Sequence, residues 1–262
     1  MKILVMGLGH MGGWLLNELQ SGHDVAVYDN DRERLENSSG FTKIFELKDA
    51  AGFSPELVIN AVSLPNIKQA FDDVLPYLPQ DCLLSDIASV KTGLADLYLD
   101  MKRRFVSTHP MFGPTFANFS DLSEQNAIII EESDPDGKSF FRDFYENLGI
   151  DVHDYTFDGH DRTIAYSLSV PFASTMVFAA CMKNQNAPGS TFKKHLEIAK
   201  GLLSKDDQLL TEILFNPYTI HQIETINASL TYLTHIIRGR DHEEMDKYLD
   251  RLRENISERR PA

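Results

Sequence analysis

Short apolar runs alternate with amphipathic segments over the first 155 residues of the chain. Runs with the composition of buried strands occupy residues 2–6, 24–28, 41–45, 57–62, 82–86, 104–108, 127–130 and 151–155. Most of the segments between them show the three- and four-residue apolar spacing of helices. Strands that alternate with helices in this way predict βαβ units and a mainly parallel sheet, so we expect an α/β domain here.

After about residue 157 the pattern becomes helical throughout, and it predicts five helices. The first has its apolar positions three or four residues apart, at Ile164, Leu168, Phe172, Thr175, Met176 and Ala179. Asp158, followed three residues later by Asp161, resembles a capping box at the start of this helix. Pro171 lies inside the helical pattern and should kink it. We therefore expect two domains, an α/β domain at residues 1–156 and an all-α helical domain at residues 157–262.

The turn after the first strand carries a glycine motif. It reads Gly7, Leu8, Gly9, His10, Met11 and Gly12. This G-x-G-x-x-G spacing, between a strand and a helix, is typical of dinucleotide binding. Gly7 permits the tight turn, Gly9 lets the backbone approach a pyrophosphate, and Gly12 lets helix and strand pack closely. The helix N-terminus then offers N–H groups and a partial positive charge to the phosphates.

A carboxylate at the end of the second strand supports the same interpretation. Asp29 follows the 24–28 run, where it can accept hydrogen bonds from the adenosine ribose hydroxyls and repel a 2′-phosphate. Ala61, Val62 and Ser63, at the end of the 57–62 run, are expected to complete the site. We therefore predict an N-terminal Rossmann dinucleotide-binding domain with NAD as its cofactor.

Composition narrows the class of partner. A length of 262 residues suits two domains, and a net charge of −14 argues against nucleic acid, which requires clustered Lys and Arg. Cys82 and Cys181 lie far apart and outside any C-x-x-C pair, so neither a disulfide framework nor a metal site is indicated. The chain enters a strand directly and contains no uninterrupted run of eighteen apolar residues. We therefore expect a soluble, cytoplasmic protein without a membrane segment.

His109 and Ser89 are the candidates for catalysis. Each follows a predicted strand, and ligands of parallel sheets bind outside the carboxyl ends of the strands. Neutral imidazole can accept the proton of a carbinol while the carbon gives up hydride to NAD, because its ordinary pKa of about 6.5 lies near working pH. Ser89 can exchange a hydrogen bond with the same oxygen. A histidine beside a proline can equally be an ordinary strand end, and His160 and the other histidines are expected to be exposed and uninvolved.

Four segments together resemble the prephenate and arogenate dehydrogenase family. They are the glycine turn with Asp29, Asp86-Ile-Ala-Ser89-Val90-Lys91, His109-Pro-Met-Phe-Gly113, and Gly159-His160-Asp161-Arg162. The resemblance covers nearly the whole chain. It implies a Rossmann domain followed by a helical dimerisation domain, a homodimer, and NAD-dependent oxidative decarboxylation of prephenate, or of its amino analogue arogenate, in tyrosine biosynthesis. His109 would match the histidine that binds the substrate 4-hydroxyl, and Ser89 the serine that contacts the same region.

The chain departs from that family where the substrate carboxylates are held. Ser169 and Phe172 stand where many relatives carry histidine, and Gly201 stands where some carry an arginine that binds the ring carboxylate. Four cations are the remaining candidates for substrate binding: Lys91, Arg162, Lys193 and Lys200. A lysine would bind as a point charge, without the bidentate fork of arginine.

Two other functions share part of this pattern. A β-hydroxyacid-type dehydrogenase also joins a Rossmann domain to helices, but its Lys-x-x-x-Asn signature is absent from this sequence. An NAD-sensing protein without activity would need the glycine motif and Asp29, but it would not need Ser89 and His109 at neighbouring strand ends. The sequence does not decide between prephenate and arogenate.

Overall fold

The computed structural model describes residues 1–112, 122–183, 185–204 and 206–257. Its first part contains a single eight-stranded sheet in the order β3-β2-β1-β4-β5-β6-β7-β8. The strands are β1 (Lys2–Met6), β2 (Asp24–Tyr28), β3 (Thr42–Lys43), β4 (Leu57–Asn60), β5 (Leu83–Asp86), β6 (Phe105–Pro110), β7 (Asn126–Ile130) and β8 (Asp151–Tyr155). Neighbouring strands are parallel except β6 and β7, which are antiparallel. The predicted α/β fold with a Rossmann-like sheet is confirmed.

Helices cover both faces of this sheet. They are α1 (His10–Leu19), α2 (Arg32–Asn37), α3 (Ala50–Phe53), α4 (Leu64–Val74), α5 (Leu94–Met101) and α6 (Pro135–Asn147). Along β1, Ile3 and Val5 face a core shared with α1 and α6, while Leu4 and Met6 face a second core shared with α4 and α5. Burial on both faces explains why these strands are continuous apolar runs in the sequence.

Five of the eight predicted strands differ from the structure at their ends, and the 41–45 and 104–108 runs differ most. The predicted 41–45 strand is reduced to Thr42–Lys43 at the edge of the sheet. The predicted 104–108 strand continues to Pro110, because the antiparallel β7 pairs His109 with Ile128 and Pro110 with Ala127. His109 therefore belongs to a strand. Gly113 of the quoted family string lies outside the described residues.

The rest of the described chain is helical. It contains α7 (Phe157–Ile164), α8 (Val170–Cys181), α9 (Ser190–Leu203), α10 (Asp207–Leu214), α11 (Thr219–Gly239) and α12 (His242–Ile256). A π-helical turn, Ala165–Ser169, joins α7 to α8 in one continuous stretch. Because β8 ends at Tyr155 and α7 begins at Phe157, the secondary structure changes close to the predicted boundary; the division into domains 1–156 and 157–262 stays a prediction.

Two details of the first long helix correct the sequence analysis. The predicted capping box at Asp158 and Asp161 is wrong, because Thr156 is the N-cap and its hydroxyl accepts the Gly159 N–H at 3.0 Å. The irregularity expected at Pro171 lies just before it, in the π-helical turn. Proline has no N–H to continue the α-helical hydrogen bonds, and here a single π turn, a rare element, precedes it within the helix.

Much of the helical part presents apolar surface. By length and composition, Phe157–Cys181 is the one described helix that could cross a membrane, and 17% of its most apolar window is buried. Serine, threonine, tyrosine and proline residues interrupt this helix, so it contains no uninterrupted run of eighteen apolar residues. Large exposed apolar side chains occur on several other helices as well, including Ile198, Ile220, Leu230, Ile237 and Ile256, and Phe215 follows α10 directly.

Candidate active site

A cavity of about 390 Å³ opens at the carboxyl ends of β1, β2 and β4. The structure gathers six of the predicted cofactor residues around it: Gly7, Gly9, Asp29, Ala61, Val62 and Ser63. They come from three separate strand ends, which the parallel order β2-β1-β4 places side by side. This is the position at which open α/β sheets bind their ligands.

The glycine turn has the geometry of a phosphate-binding loop. Gly7 has a φ of +99°, and a Cβ on Gly12 would lie 1.9 Å from the Gly7 carbonyl oxygen, so both positions require glycine. A Cβ on Gly9 would meet no atom within 4 Å, which leaves the backbone open to a ligand. Gly9 is the N-cap of α1, and no side chain of the described residues caps that end. The N–H groups of α1 are thus available to phosphate.

The other residues of the turn divide between the surface and the core. The side chain of His10 is exposed, while Leu8 and Met11 pack against the core beneath α1. Their predicted contact with the cofactor would therefore be made through the backbone.

Asp29 is held by the backbone of the turn itself. Its carboxylate accepts the Leu8 N–H at 2.5 Å and the Asp31 N–H at 2.8 Å. The guanidinium of Arg34 lies 3.7 Å away. A carboxylate accepts about four hydrogen bonds, so Asp29 retains capacity for ribose hydroxyls. The residues around the cavity thus fit a dinucleotide whose ribose carries no 2′-phosphate.

His109 lies near the carboxyl end of β6, on the same side of the sheet as the carboxyl ends of β1, β2 and β4. It is the first of three linked side chains. The residue is 4% exposed, and its Nδ1 lies 2.9 Å from Nε2 of His160. Nδ1 of His160 lies 2.8 Å from Oδ1 of Asp161. The expectation that His160 is an exposed, uninvolved histidine is wrong: it is fully buried and contacts the candidate base.

This order of contacts determines which nitrogen of His109 is basic. An ionised carboxylate only accepts hydrogen bonds, so His160 donates from Nδ1 to Asp161 and presents Nε2 as an acceptor. His109 then donates from Nδ1 to His160. In a neutral ring the other nitrogen is unprotonated, so Nε2 of His109 is the atom able to accept a proton.

Asp161 is fixed by groups from elsewhere in the fold. Its carboxylate accepts the Lys91 N–H at 2.7 Å and the Thr92 hydroxyl at 2.6 Å, both on the loop after β5. Its carbonyl accepts a hydrogen bond from the Asn216 side chain at 2.8 Å. The chain of side chains that ends on His109 is therefore anchored to both the sheet and the helical part.

Burial sets the proton affinities of the three groups. The pKa of His109 lies well below its ordinary value, first because the ring is desolvated and then because His160 and Lys91 lie nearby. The pKa of His160 is also lowered by burial, against the opposing effect of Asp161. Burial pushes the pKa of Asp161 up, but hydrogen bonds from His160, Thr92 and the Lys91 N–H outweigh it and hold it below the ordinary value. At neutral pH both rings are therefore neutral and Asp161 is ionised.

Lys91 is not placed to bind a substrate carboxylate, which corrects that prediction. Its side chain is fully buried, and Nζ donates to Asp86 Oδ1 at 2.6 Å and to the Thr108 carbonyl at 2.7 Å. Asp86 also accepts the Tyr98 hydroxyl at 2.8 Å. The ammonium group therefore neutralises a buried carboxylate and braces the strand residue next to His109.

The other predicted site residues lie on loops or on exposed helix faces. Ser89 is half-buried on the loop after β5, and pairing of Asp86 with Ser107 brings this loop to the same sheet edge as His109. Arg162 pairs with Asp158 at 2.6 Å and lies over the ring of Tyr218. The remaining two are exposed on α9, where Lys200 pairs with Glu197 and Lys193 lies two turns earlier. A substrate-binding role for these three cations stays a prediction.

The motif Gly159-His160-Asp161 was the available signal for the residues that the sequence analysis undervalued. It supported the family resemblance, yet its histidine was given no chemical role. No group of three or more His, Cys, Asp or Glu side chains that could hold a metal ion occurs in the part of the chain that the structure describes.

Comparison with known families gives a consistent result. The family described as "Prephenate dehydrogenase, nucleotide-binding domain" matches residues 15–148. The chain is 24% identical to the "T-protein" of Enterobacter agglomerans over 82% of this chain and 56% of that one. It is 23% identical to the "Probable arogenate/prephenate dehydrogenase" of Methanocaldococcus jannaschii over 92% of this chain and 57% of that one. It thus spans little more than half the length of these curated relatives.

Solved structures share the fold over nearly the full chain. Prephenate dehydrogenase from Aquifex aeolicus, in complex with hydroxyphenyl propionate and NAD⁺, has a TM-score of 0.82 at 21% identity, covering 97% of this chain and 96% of that one. Synechocystis arogenate dehydrogenase has a TM-score of 0.73 at 18% identity, covering 97% and 98%. At these identities the likeness is one of fold.

Proposed function

Because this chain belongs to the prephenate dehydrogenase family, we propose that it catalyses the NAD-dependent oxidative decarboxylation of prephenate to 4-hydroxyphenylpyruvate. Arogenate, which carries an amino group in place of the side-chain keto group, is the alternative substrate. The observation that carries the proposal is the hydrogen-bonded series Asp161, His160, His109, which ends on a basic nitrogen at the same sheet edge as the dinucleotide cavity. A protein that only senses NAD has no need of this arrangement.

The reaction needs one base and one hydride acceptor. Bound NAD supplies the hydride acceptor. Nε2 of His109 takes the proton of the C4 hydroxyl as the C4–H bond breaks and its electron pair leaves as hydride. The bond between the ring and its carboxylate then breaks, CO₂ leaves, and the electron pair makes the ring aromatic. The phenolate oxygen recovers the proton from His109, so atoms and charge balance.

The other residues position these groups. His160 and Asp161 hold His109 in the tautomer whose Nε2 is unprotonated, and they orient its ring. Ser89 hydrogen-bonds the same substrate oxygen from the loop after β5. Arg162, Lys193 and Lys200 are the proposed cations for the two substrate carboxylates, with Lys91 removed from that group by its burial.

The test is NADH formation with prephenate and with arogenate in parallel, at equal concentrations and with NAD in excess. We expect turnover with prephenate to exceed turnover with arogenate. The reverse order would make arogenate the substrate and leave the rest of the proposal intact. NAD binding without oxidation of either compound would refute the dehydrogenase function and favour an NAD-sensing protein.

We also propose that the protein is a cytoplasmic homodimer in which the helical part of one copy covers that of the other. Exposed large apolar side chains on α8, α11 and α12 support it, since large exposed apolar patches in soluble proteins mark interaction surfaces. Light scattering on the purified protein should give twice the chain mass. Ile220→Glu with Leu230→Glu should give the monomer, and Leu99→Glu, an exposed apolar position on α5, should not. Flotation with phospholipid vesicles would instead show that a membrane covers this surface.

A further inference from the structure

One face of α4 forms a long wall of the cofactor cavity. The residues of this wall recur at three- and four-residue steps: Asn66, Gln69, Ala70 and Asp73. Residues with that spacing share one side of a helix. Between Asn66 and Asp73 a helix rises about 10 Å. The wall is therefore long enough to extend past the pyrophosphate, which the glycine turn contacts.

The glycine turn and Asp29 decide which part of NAD meets this wall. In a Rossmann domain the pyrophosphate lies at the glycine turn and the adenosine ribose lies at the carboxylate. The adenine base therefore continues along the cavity from Asp29. Apolar surface suited to a flat base is present there, from Tyr28, Leu47, Val62 and Ala70.

Asp73 places a charged acceptor on the same wall. Gln69 Nε2 donates a hydrogen bond to Asp73 Oδ1 at 2.7 Å, which restrains the carboxylate. The charge of Asp73 is felt by the neighbouring phenol: the pKa of Tyr28 is raised first by burial and then by Asp73, Glu46 and Asp29. Asp73 is therefore the carboxylate on the α4 wall of the cavity.

We propose that Asp73 recognises the exocyclic amino group of adenine. The amino group at C6 donates hydrogen bonds, and an ionised carboxylate only accepts them, so the pair forms a charge-assisted hydrogen bond. Hypoxanthine carries a carbonyl oxygen at C6, which presents an acceptor to the carboxylate and is repelled. This selection of the base is separate from the selection of NAD over NADP, which acts at the ribose through Asp29.

Calorimetric titration of the protein with NAD and with nicotinamide hypoxanthine dinucleotide tests the proposal. We expect the unmodified protein to bind NAD at least about tenfold more tightly, a ratio equivalent to about 1.4 kcal/mol. Asp73→Asn carries both a donor and an acceptor, so it should bring the two dissociation constants to within about twofold. Asp73→Ala should also remove the preference.

The adjacent carboxylate gives a matched control. Asp72→Asn makes the same change of charge one residue away, but Asp72 pairs with Lys68 at 2.5 Å and does not line the cavity. It should retain the full preference for NAD. Equal binding of the two dinucleotides by the unmodified protein, or an unchanged preference in both Asp73 variants, would overturn the proposal. Because no substrate is present, the result is independent of the proposed reaction.

Discussion

The cofactor end and the histidine end of the site lie on one sheet edge but are built in different ways. At the cofactor end, Gly7 and Gly9 face an open cavity, and Asp29 is held by backbone groups of its own neighbourhood. At the histidine end, His109 and His160 are buried, and the contacts of His109 with His160 and of Asp161 with Lys91 join residues distant in sequence. The cofactor end can bind a dinucleotide because its backbone is exposed. At the histidine end, burial keeps the two imidazole rings neutral beside the ionised Asp161.

The strongest test of this difference is a change that should abolish chemistry and leave cofactor binding intact. His109→Asn removes the basic nitrogen, and loss of a general base lowers turnover by about 100- to 10,000-fold. The dissociation constant for NAD should stay within about twofold, because the ring does not line the cofactor cavity. Steady-state kinetics and calorimetry measure the two quantities. His195→Asn, on exposed α9, is the control and should alter neither. A parallel loss of NAD binding in His109→Asn would contradict the separation of the two ends.

The buried ion pair beside His109 should matter most for stability. Lys91→Met leaves the Asp86 carboxylate buried without its counter-charge, which lowers the free energy of unfolding by about 3–5 kcal/mol. Urea denaturation measures the loss. Lys200→Met, which removes an exposed lysine from its pair with Glu197, should change the midpoint little. If Lys91→Met proved as stable as Lys200→Met, the Lys91 ammonium group would not stabilise the buried Asp86 carboxylate. Lys91 would then again be a candidate for binding a substrate carboxylate.

The two buried histidines should make the protein sensitive to mild acid. Their pKa values are lowered in the folded state, so the unfolded chain binds more protons below its ordinary histidine pKa of about 6.5. Stability is complete above that pH and falls as the pH drops, by about 1.4 kcal/mol per pH unit for each ring. Urea titrations between pH 6.5 and 5 measure the slope. His160→Gln should remove about half of it, and His195→Gln should leave it intact.

A substitution of Asp161 tests whether this carboxylate affects catalysis through His160 and His109. Asp161→Asn replaces charge-assisted hydrogen bonds worth about 1.5–3 kcal/mol, so turnover should fall about 10- to 100-fold. The pH profile of kcat should change shape, because the tautomer of His160 is no longer fixed, while KM for NAD should hold. Asp72→Asn, which breaks an exposed pair with Lys68 on α4, is the control. If the pH profile of kcat in Asp161→Asn matched that of the unmodified protein, Asp161 would have only a structural role.

The smallest effect is expected at the cofactor end. Asp29→Asn removes the charge that repels a 2′-phosphate and leaves Arg34 close by, so the preference for NAD over NADP should narrow by about tenfold. Initial rates with the two cofactors measure it. Adding Arg34→Ala should cancel the gain in NADP use. Unchanged discrimination in Asp29→Asn would mean that another residue recognises the ribose.

Prediction from sequence succeeded where the determinants are local. The glycine motif and Asp29 lie within one βαβ unit, and their arrangement follows from the turn that the glycines permit. Lys91 shows the opposite case: it was a candidate for binding a substrate carboxylate, and only its pairing with Asp86 and Thr108 explains its burial. His160 was misjudged for the same reason, since its burial depends on the sheet packing against α7.

Sequence was sufficient to predict the alternation of strands and helices, the glycine turn, the carboxylate after the second strand and each motif of the family resemblance, because each depends on residues close together in the chain. The tertiary structure alone decided that His160 and Asp161 join His109, that Lys91 is internal, and that one face of α4 lines the cofactor cavity. Those facts depend on which distant segments exclude water from one another. Burial sets the pKa values and the contribution of each charged group to stability, and it is a property of the folded chain as a whole.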